Sequence, residues 1–147
     1  MKNLNSTLLF ITSFTKLHSC YIEEIRQKYN LTKTKTNIIS FLYNNPDLNT
    51  AKDISKIRKI SKGNISTAVE SLINKNLLNQ QTDNNDRRVI HLSLTYNTSE
   101  IVKDIEQMKK IFTNQVFKDF NDEEIIKYLN FNNRILNNVI EGVRNYE

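Results

Sequence analysis

The sequence predicts a mainly helical (α+β) fold in the order α-α-α-α-β-β-α-α, and three observations predict it. Apolar residues recur at helical spacing over most of the 147 residues. Ser61-Lys-Gly-Asn-Ile-Ser-Thr67 opens one helix with an unusually small, polar first turn. Beyond it, Val89 to Thr95 alternates polar and apolar residues behind a tip that carries Arg87 and Arg88, the period-2 pattern of a half-buried strand. A helix of that kind followed by a β-ribbon is the layout of a winged helix-turn-helix. Such a fold sends its helix into the major groove of DNA and its ribbon tip to the phosphates or the minor groove.

Residues 4 to about 28 read as one long helix. Leu4, Leu8, Ile11, Thr15, His18, Ile22 and Ile25 recur at alternating steps of four and three, and Phe10, Phe14, Leu17 and Tyr21 form a second row beside them. Two adjacent rows are more apolar surface than one small domain covers, so burial against a second subunit is expected. Asn30-Leu31-Thr32 breaks the pattern, and Thr32 is placed to cap a second helix with Ile38, Ile39 and Leu42 inward. Asn45-Pro46-Asp47 ends that helix, because proline disfavours helical geometry in the residue before it.

A short helix opens at Thr50 or Ala51, and a second at Ser61 runs to near Asn76. Ile54, Ile57, Ile60, Ile65, Val69 and Leu72 are expected as the shared core of this helix-turn-helix pair. Leu77 to Thr82 and Val89 to Thr95 are the strands, with Asp83-Asn-Asn-Asp86 at the tip. Ile101, Ile105, Met108 and Phe112 line a fifth helix. Asn121-Asp-Glu-Glu124 is a capping box for the sixth, whose Leu129, Leu136 and Val143 repeat like a heptad. The expected organisation is a single domain over 1–147, with dimerisation helices in 1–29 and 97–147 around a winged DNA-binding lobe at 31–95.

Composition narrows the function classes. No apolar run approaches the length of a transmembrane helix, the N-terminal apolar stretch is too interrupted for a signal peptide, and one cysteine excludes an internal disulfide. A cytoplasmic protein without membrane partners or cofactors is expected. Two glycines and one proline argue against a phosphate-binding Gly-rich loop. The net charge of +5 is unevenly spread: residues 1–49 carry +3, residues 50–91 carry +4 and residues 92–147 carry −2. The most basic segment is the one that holds the candidate DNA elements, which suits a polyanion.

The chemistry read from these residues is recognition. With Ser61 as N-cap, Lys62, Gly63 and Asn64 form an exposed first turn whose short side chains let the backbone approach a groove. Asn64, Ser66 and Thr67 are candidates for base and phosphate contacts and Lys62 for phosphate, since asparagine pairs with adenine N6 and N7. Arg87 and Arg88, with Asp86 beside them, suit the focused negative potential of a narrow minor groove. The bland alternatives are a merely solvated helix cap and a charged turn. No nucleophile–base pair, paired carboxylates or metal set points to an enzyme. A winged-helix protein–protein module without DNA binding remains the rival, but such a face would present large apolar anchors where this one has Ser, Lys, Gly, Asn, Ser and Thr.

The order of elements and the segment Ile60 to Thr95 resemble the MarR family of bacterial winged-helix transcriptional regulators, nearest to the branch that includes SarA-like regulators and the organic-peroxide sensors. The family's wing pattern, Asp-x-Arg with Leu-Thr some residues on, is matched by Asp86, Arg88, Leu94 and Thr95. Its recognition-helix opening is matched by Ser61, Lys62, Gly63 and Asn64. Its Lys-Gly-Leu exit is Lys75-Asn76-Leu77 here, with Asn in place of Gly. The resemblance implies a homodimer on an inverted-repeat operator, with Arg88 in the minor groove, Asp86 orienting it and Arg87 on phosphate. A ligand- or stress-responsive repressor is the expected role.

For an effector, His18 and Thr15 interrupt the apolar stripe and, with Tyr21, Tyr29 and Tyr43, could line a small aromatic pocket between the helical arm and the winged lobe. The competing reading is that they hydrogen-bond at the interface and set its register. His91 is expected to be solvated. No metal is expected, since two histidines and one cysteine lack ligand spacing. Cys20 lies on the polar face between Lys16 and Glu24. The reactive cysteine of the family's peroxide sensors would fall near Thr7, so Cys20 is expected to be a bystander.

Overall fold

The computed structural model describes residues 4–146, so the outermost ends of the expected dimerisation arms, residues 1–3 and 147, lie outside the described residues. The elements are α1 (Leu4–Tyr29), α2 (Lys33–Asn44), α3 (Ala51–Arg58), α4 (Lys62–Asn74), β1 (Leu78–Thr82), β2 (Ile90–Leu94), α5 (Ser99–Val116) and α6 (Asp122–Arg144). A 3-10 turn, Tyr96–Thr98, leads into α5. It has no counterpart in the reading above, since three residues are too few to carry periodicity. The chain divides into two compact units, Met1–Lys110 and Ile111–Glu147.

In the first unit local chemistry sets each boundary. α1 ends where Asn30 turns left-handed (φ 51°), and the Leu31 amide reaches back 2.9 Å to the Arg26 carbonyl. That is a Schellman closure, with Leu31 buried beyond it. The Thr32 hydroxyl accepts from the Lys35 amide to start α2, and Thr50 and Asp53 form a reciprocal capping box for α3. Lys59 takes a left-handed conformation (φ 54°) in the tight turn into α4, and the Ser55 hydroxyl donates 2.8 Å to the Ile60 carbonyl across it. α4 closes as α1 does. Asn76 is left-handed (φ 56°) and the Leu77 amide bonds the Leu72 carbonyl at 2.9 Å. A chain with two glycines, neither at positive φ, uses asparagine for these ends.

The core joins Ile38, Ile39, Phe41 and Leu42 of α2 with Ile54 of α3, Ile65, Ala68 and Leu72 of α4, Leu78 and Leu92 of the hairpin, and Ile101, Ile105 and Met108 of α5. Of the six residues expected as the shared helix-turn-helix core, Ile60 and Val69 are half-buried and one is exposed. Ile57 is 50% exposed, and Ala68 of α4, which was not expected in the core, is buried. The last turn of α3 lays the Arg58 guanidinium over the Phe41 ring, 5.6 Å from its centroid. α1 is tied down at its C-terminal end, where Lys28 Nζ and Tyr29 Oη both donate to Asp104 Oδ2 of α5, at 2.6 and 2.7 Å.

The hairpin pairs antiparallel from Leu78↔Leu94 to Thr82↔Ile90. It has a third, very short neighbour. The α2–α3 turn runs beside β2, the Leu92 amide donates to the Asn49 carbonyl at 2.8 Å, and Thr50 bridges His91.

In the second unit, α6 starts with the Asn121–Glu124 capping box and an acidic first turn, Asp122, Glu123 and Glu124, which complements the helix dipole. Phe117 packs edge-on against Phe120 and Tyr128 just before it. None of the described residues of α6 is buried.

Candidate nucleic-acid interface

The N-terminus of α4 presents an exposed, polar first turn. The Ser61 hydroxyl accepts from the Asn64 amide at 3.3 Å, which fixes the first turn. Lys62, Gly63, Asn64, Ser66 and Thr67 are all exposed, while Ile65, between them, is fully buried and anchors the turn to the core. Gly63 has ordinary helical geometry, and a Cβ added there would meet nothing within 4 Å. Glycine inside a helix costs about 0.5–1 kcal/mol relative to alanine, and no close contact among the described residues accounts for it.

The wing tip is equally ordered from within. Asp83 Oδ1 accepts from the amides of Asn85 and Asp86, at 2.8 and 2.9 Å, an Asx-type turn. These two amides, together with His91, hold the Asp83 carboxyl down at about 2, the Asp86 amide contributing most. Asp86 grips Arg88 through both of its oxygens, with Nε at 3.1 Å from Oδ1 and Nη2 at 3.2 Å from Oδ2, and accepts from the Arg88 amide as well. The Arg88 side chain pairing and its backbone N–H lower the Asp86 pKa, in that order. Arg88 is nevertheless 90% exposed along its side chain, so its outer edge is presented to solvent in a fixed direction. Arg87 is exposed next to it.

His91 differs from the solvated residue expected. Its Nδ1 lies 2.6 Å from Asn49 Oδ1 and its Nε2 3.0 Å from Asp83 Oδ2. Asn49 is 42 positions away in the chain, so no local pattern could have joined the two. The Asp83-Asn-Asn-Asp86 spacing, by contrast, is a readable Asx-turn signature.

The residues considered for an effector go to separate places. His18 lines a cavity of about 290 Å³ with Ile22, Thr36, Asn37, Arg58 and Lys109 among its neighbours. Partial burial and then the Lys33 charge push the His18 imidazole below its ordinary pKa. Tyr43 faces a broader groove with Leu94, Val102, Lys103 and Glu106. Tyr21 is half-buried on α1, Tyr29 is bound to Asp104, and the Thr15 hydroxyl donates to its own helix at the Ile11 carbonyl, 2.8 Å away. Arg58 and Lys109, which the sequence reading did not select, are the cations of the His18 cavity. Cys20 is exposed. Among the described residues no cluster of three His, Cys, Asp or Glu could hold a metal ion, and no helix is long and apolar enough to cross a membrane.

Comparison with known proteins agrees with this architecture. The MarR family model matches residues 29–89. No curated protein sequence matches the chain. Among solved structures, a MarR transcriptional regulator from Methanosarcina mazei Go1 superposes with a TM-score of 0.78 at 20% identity, over 93% of this chain and 98% of that one. The DNA complex of S. aureus MepR gives 0.76 at 16% identity, over 95% and 99%. BpsR of Bordetella bronchiseptica, whose DNA binding is regulated by 6-hydroxynicotinic acid, gives 0.69 at 17% identity, over 88% and 98%. The segment from the end of α1 to the wing tip therefore carries the sequence signature of the MarR family, within a fold that those winged-helix regulators share.

Proposed function

We propose that this protein is a sequence-specific double-stranded DNA-binding transcriptional regulator that acts as a homodimer on an inverted-repeat operator. The observation that carries the reading is the α4 tip. It has an exposed polar first turn, anchored by Ile65, with a glycine that no intramolecular contact requires. A backbone left bare in that way suits close approach to base edges, and the Asp86–Arg88 pair offers a second, cationic contact on the wing. The likeness to MepR, solved on DNA, supports the same reading. Asn64, Ser66 and Thr67 then face bases and phosphates, Lys62 and Arg87 face phosphates, and Arg88 enters the minor groove.

The regulator is non-enzymatic and ligand-responsive. The His18 cavity, with Arg58 and Lys109 on its wall, suits a small organic anion, and BpsR answers to a molecule of that kind. Selection from a random duplex pool should return an inverted repeat with half-sites about 10 base pairs apart. Asn64→Ala should then lose about 1–3 kcal/mol of discrimination at one base pair per half-site, and Arg88→Ala should weaken all sites. Enrichment of no sequence at low salt, or unchanged binding by both variants, would defeat the reading.

A further inference from the structure

The outward face of α4 carries one acid. Glu70 is exposed and follows Ser66 by four residues and Thr67 by three, so the three are neighbours on one helix face. Around the helix axis Gly63, Thr67 and Glu70 fall within about 60° of one another. The buried residues Ile65, Ala68 and Leu72 lie on the opposite side. Glu70 stands about 10 Å further along the axis than Gly63. A major groove about 12 Å wide admits a helix over that length.

This carboxylate has no partner among the described residues. It forms no ion pair and no side-chain hydrogen bond there. The groove beside it, which Ser66, Ile73, Gln80 and Ile90 help to line, holds no lysine or arginine. Nor does it complement the helix dipole, because it lies beyond the first turn of α4. Glutamate is a good helix former, but glutamine and lysine serve a helix as well and do not repel phosphate.

An acid on a face turned to DNA weakens binding everywhere unless the DNA itself offers it a donor. The donors in the major groove are cytosine N4 and adenine N6. Adenine sets the acceptor N7 beside its N6, and a carboxylate has only acceptors to bring to it. Cytosine presents its N4 donor alone on its own edge. We propose that Glu70 is a specificity-determining residue that accepts from cytosine N4 in each half-site. This assignment rests on the DNA-binding function proposed above and adds a base and a sign to it. The same charge repels phosphates on every sequence, so it lowers affinity for DNA in general while it favours one base pair.

The test uses the full-length protein, with amide exchange in α2 and α4 reporting that the fold is intact. Selection from a random duplex pool with the wild type should fix a C·G pair in each half-site, at a position other than the one that Asn64→Ala relaxes. Changing that pair to T·A in the selected operator should weaken binding about tenfold. Glu70→Gln should move the preference to A·T, because glutamine pairs with adenine N6 and N7. Glu70→Ala should lose the preference at that position alone. It should also bind a random duplex more tightly than the wild type does, since a charge that repels phosphates is gone. Base preferences unchanged in both variants would overturn the assignment. So would a Glu70→Ala protein that gains affinity for all sequences with its preferences intact, because the acid would then be repulsive only. A wild type that enriches no sequence at low salt would overturn the DNA reading itself, and this assignment with it.

Discussion

Gly63 is where stability and function pull apart. Its Cβ position is empty and its backbone is helical, so Gly63→Ala meets no steric objection. The substitution should raise thermal stability by at most about 0.5–1 kcal/mol, the helix cost of glycine, while weakening operator binding, because in the proposed DNA complex the added methyl would face the groove. Calorimetry and a binding titration on one sample decide it, and a variant that is both more stable and equally tight would mean that no backbone approaches there.

One part of the acid response expected of the wing tip has an equally local origin. The Asp83 carboxyl is lowered from 3.8 to about 2, first by the Asp86 amide and then by His91 and the Asn85 amide. Its contribution is therefore complete above the unfolded value and is lost as pH falls through about 2. Asp83→Asn should abolish that wing transition, read as tip amide shifts in a titration from pH 5 to pH 1.5. These contacts were only half legible in sequence. The Asp83-Asn-Asn-Asp86 turn is local, whereas Asn49 and His91 meet through tertiary folding that no short-range pattern encodes.

Among elements, the helix starts could be read and the packing of their last turns could not. Thr32, Ser61 and Asn121 cap where side-chain chemistry dictates, because a hydroxyl or amide oxygen within one turn of an orphan N–H is a local matter. Ile57 misled because helical spacing says which residues share a face, not how far along that face the neighbouring elements reach. The one-residue strand at Thr50 was invisible for the same reason: its partner lies across the lobe.

The left-handed closures make an element-scale prediction. Asn76 at φ 56° ends α4, and its carbonyl accepts from the Thr95 hydroxyl at 2.7 Å, so the helix exit and the hairpin base share this residue. Asn76→Val should cost about 1–2 kcal/mol, the usual left-handed penalty for a side chain that cannot bond locally. Asn76→Gly should be close to neutral, because glycine's freedom at that φ offsets its extra unfolded-state entropy. Chemical denaturation of the two variants separates the backbone cause from any role for the amide group, since equal losses would point to the side chain.

At the scale of the molecule, the amount of apolar surface left open argues for a second copy. α6 buries none of its described residues although Leu129, Leu136 and Val143 recur along it at heptad spacing, 47%, 50% and 51% exposed. The N-terminal half of α1 leaves Leu4, Leu8 and Ile11 open in the same way, with Phe10 beside them. Single exposed apolar residues are ordinary, but continuous rows on two long helices exceed what a soluble monomer carries. The winged lobe also leaves Tyr43, Leu48, Ile57 and Ile90 exposed, but these are scattered over α2, the α2–α3 turn, α3 and β2 and form no such row. Self-association through these rows, if it covers them, would fall in the class of obligate interfaces, which bury about 2,000 Å² or more and are largely apolar. It would also set the spacing between two α4 tips that an inverted repeat demands. The protein should therefore sediment as a dimer at micromolar concentration with no shift on moderate dilution. Leu8→Glu combined with Leu136→Glu places charges in the rows without touching the lobe, and should yield monomers or aggregate whose operator affinity is lost while each winged lobe keeps its fold by amide exchange. A wild type that sediments as a monomer, or a double variant that remains dimeric, would refute this assembly and leave those rows to cover something else.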